Sequence, residues 1–253
     1  MKKYVASILA LAMALMAVSC SKSDDKNEGN PEEDNNGTPN APVLVIDGDF
    51  SDWAALGSSE GVAVAKNHPD SPYEGVKEIR CYATPEYVYY YIRYDGETLD
   101  EQMEKGDALH IRLCLNTDGE FASGYASYFL EAYDFIIEGS LASDGVWGEF
   151  DGTLSQRTYV EAKGKVDWLT LVSPGKGLVT GKGNGKEYEI SLDRAIFNSG
   201  IAASTAPNQP IGDEFQTGIR FYCNGWSELS NMPNASAEEG NGWGHLLTIT
   251  TVQ

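Results

Sequence analysis

From residue 43 to the C-terminus, short apolar runs alternate with turn residues, and nowhere does the 3.6-residue period of a long amphipathic helix persist. Val43 to Ile46, Val62 to Lys66, Glu78 to Thr84, Tyr87 to Asp95, Ala108 to Leu115 and Tyr125 to Leu130 read as strands. So do Phe135 to Glu138, Tyr159 to Lys165, Glu187 to Leu192, Ile219 to Asn224 and His245 to Thr250. Most are rich in β-branched or aromatic residues, and several alternate with period two. Thr84-Pro85-Glu86 reads as a hairpin turn, because proline cannot donate to a ladder. Short strands at this spacing predict an all-β fold, a two-sheet antiparallel β-sandwich of jelly-roll-like type. Helix is confined to one or two short pieces. Thr98 to Glu101 forms a capping box stopped by Gly106, and Asp193 caps the segment Arg194 to Phe197.

The period-two pattern also assigns faces. Tyr87, Tyr89 and Tyr91 share one side of their strand, while Tyr90 and Tyr94 share the other with Val88 and Ile92. One side must be core; the other is either a ligand-facing wall or a covered outer surface, and ordinary packing is favoured. Cys81 and Cys223 fall on inward faces, whereas Cys114 lies opposite the leucines of its strand and looks outward. Buried free thiols are expected, with a Cys81 to Cys223 bridge as the alternative.

Ahead of these strands the composition changes. Lys2 and Lys3 precede an apolar run from Tyr4 to Val18 and then Ser19-Cys20, an arrangement that resembles a bacterial lipoprotein signal, departing from it at Ala17 where Leu is usual. The resemblance implies that residues 1–19 are removed and that Cys20 is acylated and held in a lipid membrane. Residues 20–42 are acidic, with Asn, Gly and Pro and almost nothing apolar, so they read as a solvated tether to a folded domain at 43–253. Ser23-Asp24-Asp25 resembles the export signal of Bacteroides-type lipoproteins, which implies the cell-surface side of the outer membrane rather than its periplasmic face. Residues 1–19 hold two lysines and no acid, so the remainder sets 16 basic against 38 acidic residues, a formal charge of -22. Such a balance excludes nucleic acid and disfavours polyanionic glycans.

The opening of the domain, Ile46-Asp47-Gly48-Asp49-Phe50-Ser51-Asp52-Trp53, joins a tight turn to a helical turn with Phe50 and Trp53 on one side. A Tyr-rich strand follows, Glu86-Tyr87-Val88-Tyr89-Tyr90-Tyr91-Ile92-Arg93-Tyr94-Asp95-Gly96, and then Gly106-Asp107-Ala108-Leu109-His110-Ile111-Arg112-Leu113-Cys114-Leu115-Asn116-Thr117-Asp118-Gly119. Later come Tyr188-Glu189-Ile190-Ser191-Leu192-Asp193-Arg194-Ala195-Ile196-Phe197, Ile219-Arg220-Phe221 and Trp243-Gly244-His245-Leu246. In order and spacing this set resembles the family 9-like carbohydrate-binding modules and the related DOMON sandwiches over most of residues 43–251. The resemblance implies a non-catalytic sugar-binding sandwich that clasps a terminal sugar between two tryptophans, a part Trp226 and Trp243 could play.

Sugar rings present C–H faces to flat aromatic rings and hydroxyls to polar neighbours, so a site needs exposed Trp or Tyr beside Asn, Asp, Glu or Arg. Two glycine-rich segments fit: Asn224, Trp226 and Glu228 in one, Asn241 and Trp243 in the other, with Trp147 as a third platform. Against this, Trp243 equally suits a plug at one end of the sandwich. Trp53 and Trp168, beside apolar partners, read as core. Asn116, Asp118 and Glu120 supply alternating oxygens, either to a structural calcium or to a plain solvated turn. No other cofactor is expected: the three histidines are scattered, and only Met103 and Met232 follow the lipidation site, a poor supply for the haem that some DOMON relatives hold. No nucleophile elbow, metalloprotease helix or phosphate loop occurs, although the abundance of carboxylates leaves a glycosidase pair open. The expected function is therefore capture of a neutral glycan beside outer-membrane uptake proteins. The alternative is a structural or assembly lipoprotein that contacts another outer-membrane protein without a sugar site.

Overall fold

The computed structural model describes residues 44–253 except 58, 103–105, 144, 161–164 and 203–209, within a compact unit that runs Ala41–Gln253. The expected signal, Cys20 and the tether lie outside the described residues. The fold is a two-sheet antiparallel sandwich. Its smaller sheet has the order β1 (Ala63–Lys66), β2 (Val76–Ala83), β3 (Tyr87–Tyr94), β10 (Glu187–Asp193), β9 (Val179–Gly183). The larger runs β12 (Glu228–Met232), β11 (Glu214–Tyr222), β4 (Ala108–Asn116), β5 (Phe135–Ser143), β7 (Thr153–Val160), β8 (Lys165–Val172). β13 (Leu247–Thr250) also pairs with β11, and β6 (Val146–Trp147) with β5. The helices are short: α1 (Ser51–Leu56), α2 (Gly96–Gln102) and α3 (Arg194–Ile201), the last capped by the Asp193 carboxylate accepting from the Ile196 N–H at 2.8 Å.

Alternation decides what each strand buries. Val88, Tyr90 and Ile92 of β3 meet Ile111, Leu113 and Leu115 of β4 and Ile219 and Phe221 of β11 in the core between the sheets. One polar bridge crosses it: the Tyr90 hydroxyl donates to Thr217 Oγ1 at 3.1 Å, because Thr217 already donates to the Cys114 carbonyl at 3.0 Å. On the outer face of the smaller sheet, Tyr82, Tyr89 and Tyr91 are covered by Leu44, Trp53 and Leu56 of the entering chain. That segment is locked by Glu189, fully buried, whose carboxylate accepts from the N–H groups of Asp47 and Gly48 at 2.8 and 2.7 Å. Gly48 takes the left-handed φ of 85° that the tight turn demands.

Several expectations need correction. Residues 44–46 form no strand, and Tyr125 to Leu130 contributes only isolated bridges, Tyr125 to Tyr133 and Phe129 to Gly244. Phe129 of that second segment, with Tyr133 just beyond it, serves as a lid over Cys114 and Ile136 on the outer face of the larger sheet. Cys114 does look away from the main core, but this cover buries it. Gly218 is required there, since a Cβ would stand 2.6 Å from the Phe129 ring. Of the strand expected at Tyr159 to Lys165, residues 159–160 end β7 and Lys165 begins β8, its antiparallel partner, while residues 161–164 lie outside the described residues. β9 and β12 were not anticipated, being rich in Gly, Ser and Asn rather than β-branched residues. Cys81, Cys114 and Cys223 are all buried and none is in a disulfide, so the alternative bridge does not form.

Candidate ligand-binding groove

The exposed part of the larger sheet is built from two cross-strand rows. In one, Arg220 of β11 lies opposite Arg112 of β4, which lies opposite Glu138 of β5. In the next, Tyr222 lies opposite His110, and His110 opposite Ser140. Like charges directly across a ladder repel, and each arginine here has its own glutamate. Arg112 Nε donates to Glu138, and Arg220 Nε donates to Glu228 Oε2 at 2.5 Å.

Aromatic rings cover these pairs. The Arg112 guanidinium lies 4.3 Å from the centre of the Trp226 ring, 5.1 Å from Tyr222 and 5.7 Å from Trp168. Arg220 lies 3.5 Å from the Tyr128 ring. Weak hydration of guanidinium suits it to such stacking. Two of these rings come from strained backbone: Trp226 and Tyr128 both have φ of 68°, a conformation that costs a bulky residue on the order of 1–3 kcal/mol. Asn231, fully buried, helps to hold the second by donating to the Tyr128 carbonyl at 3.1 Å and to the Pro233 carbonyl at 3.0 Å. Trp226 stands on the β11 to β12 hairpin after Gly225, where the Cys223 N–H donates to the Ser227 carbonyl at 2.9 Å.

Two cavities open on this surface, and Trp226 belongs to both. The first, about 330 Å³, lies among Arg112, Arg220, Tyr128, Ser127, Trp168 and Trp226. The second, about 420 Å³, lies among His110, Glu138, Ser140, Tyr222, Asn224 and Trp226. A larger cavity of about 520 Å³ between the edges of β1 and β13 is lined by Glu60, threonines and small apolar residues and has no aromatic platform.

Ionisation in the groove follows from burial. Glu228 is pushed up to about 7 chiefly by desolvation, against the pull of Arg220 and Arg112, and its Oε1 is buried without a hydrogen-bond partner among the described residues. Burial opposes the charge of Arg112, yet the Glu138 carboxylate more than offsets this and holds the guanidinium above its ordinary value. Desolvation raises Tyr222, with the Glu138 charge adding to it, and raises Tyr73, with Glu228 adding.

The expected site residues divide. Trp226 and Asn224 line the groove, and Glu228 lies behind it, lining neither cavity and bonded to Arg220. Trp243 does not line either cavity; half-buried, it supports Tyr128 from behind with ring centres 5.6 Å apart. Asn241, at φ 58°, sits in the turn before Trp243 and lines neither cavity. Trp147 packs on Tyr94 and Tyr188 at 5.3 and 6.1 Å, at another part of the sandwich. Trp168, expected in the core, is 57% exposed and forms a wall of the groove. Trp53 is core as expected, 1% exposed. At the expected calcium turn, Asn116 Oδ1 accepts from the Gly119 N–H, and Asp118 accepts from the Glu120 N–H and the Ser123 hydroxyl, so these oxygens cap their own loop. No cluster of three or more His, Cys, Asp or Glu that could hold a metal occurs among the described residues. Arg112, Arg220, Glu138, Tyr128, Tyr222 and His110 were missed, though charged residues at the centre of otherwise apolar strands were a usable signal.

The groove thus offers flat aromatic faces beside neutralised, hydrogen-bonding charges, an arrangement that suits a polyhydroxylated ring. No family model matches the chain, and no curated protein sequence matches it.

Proposed function

We propose that this chain is a non-catalytic glycan-binding lipoprotein, a family 9-like carbohydrate-binding sandwich anchored through Cys20 to the outer membrane, which captures a neutral polysaccharide for neighbouring uptake proteins. One observation carries this reading. Trp168 and Trp226, distant in sequence and each 57% exposed, flank a single buried arginine that is neutralised by Glu138. Exposed indoles on a rigid strand and a tight hairpin supply stacking area at little entropic cost, and the paired charges between them can exchange hydrogen bonds with hydroxyls without attracting an anion.

The test is a glycan array with affinity electrophoresis on the full chain and on Trp168→Ala and Trp226→Ala. Each substitution removes stacking area and is expected to weaken binding by about tenfold or more. Binding unaffected by both would refute the site. Failure of the unaltered chain to bind any neutral glycan would return it to the assembly reading, and release of reducing sugar from a bound glycan would make it a hydrolase.

A further inference from the structure

We propose that the groove is a two-compartment site whose ligand has at least two sugar rings, one on each side of Trp226, and that a Ser140–His110–Asn224 chain reads the second ring. This rests on the glycan reading above and extends it to ligand length.

Trp226 is the shared wall of the two cavities, and each volume falls within the roughly 300–1,000 Å³ of ordinary small-ligand sites. The left-handed φ of Trp226 is a strained choice for an aromatic residue. Strain of this kind concentrates where function requires it. The second compartment is walled by an aromatic stack, with the buried Tyr222 ring packed against both Trp226 and His110. The Tyr222 ring stacks on Trp226 at 5.1 Å with 14° between planes, and on His110 at 5.2 Å with 27°.

It also has a polar edge of fixed direction. His110 Nε2 is 3.1 Å from Asn224 Oδ1, and His110 Nδ1 is 2.7 Å from Ser140 Oγ. The amide oxygen can only accept, so Nε2 carries the hydrogen; in the neutral ring Nδ1 then accepts from the Ser140 hydroxyl. Among the described residues the amide hydrogens of Asn224 and the remaining lone pairs of Ser140 take no other partner, a donor and an acceptor on two residues that line one cavity. The Arg112 to Glu138 pair joins the compartments, Arg112 lining the first and Glu138 the second. Its charges are balanced, so the extension accepts neutral rings.

The experiment is isothermal titration calorimetry of the full chain with glucose, mannose, xylose and galactose and with their β-linked di-, tri- and tetrasaccharides. The quantity read is the ratio of disaccharide to monosaccharide affinity. For the series that binds, the ratio is expected to be about ten or more, and to fall below about three in both variants: Asn224→Ala removes hydrogen bonds made only to the second ring, and His110→Ala removes the ring that orients Asn224 and Ser140. Near-ultraviolet circular dichroism checks that each variant is folded. Affinity independent of length, or a ratio that survives both substitutions, overturns the second compartment and leaves the glycan reading standing. Failure of the unaltered chain to bind any of these sugars or any neutral glycan of the array overturns both.

Discussion

Glu228 offers the most quantitative test of how the groove is built. Its side chain is 14% exposed and bonded to Arg220, yet burial pushes its carboxyl from an ordinary 4.5 up to about 7. The folded protein therefore keeps a proton that the unfolded chain has released between those values. Unfolding in that window sheds a proton, so stability falls as pH rises from about 4.5 to about 7 and then levels off. The interval from 4.5 to about 7, at about 1.4 kcal/mol per pH unit, makes the fall roughly 3 kcal/mol. Glu228→Gln cannot titrate. It changes the Arg220 contact by an offset common to all pH values and abolishes the fall due to this residue. Asp134, pushed up to about 6, and Glu189, also raised, titrate in both proteins and cancel in the comparison. Urea unfolding followed by tryptophan fluorescence at about pH 5 and about pH 8 gives the difference between the two proteins at each pH, and that difference should move by roughly 3 kcal/mol in favour of the variant at the higher pH. A change below about 1 kcal/mol, or one of opposite sign, would refute the argument that burial outweighs the two arginines at this position.

Two further substitutions test the frame. Arg194 is 6% exposed and its guanidinium donates to the carbonyls of Thr84, Ile211 and Gly212 and to the Thr251 hydroxyl, so Arg194→Met is expected to cost about 3 kcal/mol or more in urea unfolding, and a loss under about 1 kcal/mol would contradict that role. Trp53→Ala empties the small core behind Tyr91, whose ring centre is 5.6 Å away, and is expected to cost about 3–5 kcal/mol, seen as a melting temperature lower by about 10 °C, with glycan affinity kept below the new transition.

The strands were legible where alternation was strict. Ile111, Leu113 and Leu115 face the core in β4, and the opposite placing of Cys114 was correct. What alternation cannot show is what covers the other face; the segment Tyr125 to Leu130, which brings Phe129 to the lid, looked like another strand because a buried loop needs the same residue types. Trp226, Asn224 and Glu228 were legible because glycine beside tryptophan marks an aromatic ring on a turn. Trp168 was not, because its neighbours Leu169 and Leu171 suggested burial, and only the β7 to β8 hairpin shows which side it presents. Arg112 and Arg220 belong to strands about a hundred residues apart, so their row depends on pairing register, which local pattern does not carry. The same limit applies to Trp243, whose ring is close enough to support the site through Tyr128 without entering it.

The lock between Glu189 and the turn at Asp47 and Gly48 fixes the chain's entry on the outer face of the smaller sheet, while the aromatic groove occupies the outer face of the larger one. A pull on the chain at residue 44 would therefore be borne by the Glu189 carboxylate and the Trp53 helix, on the face of the sandwich away from the groove.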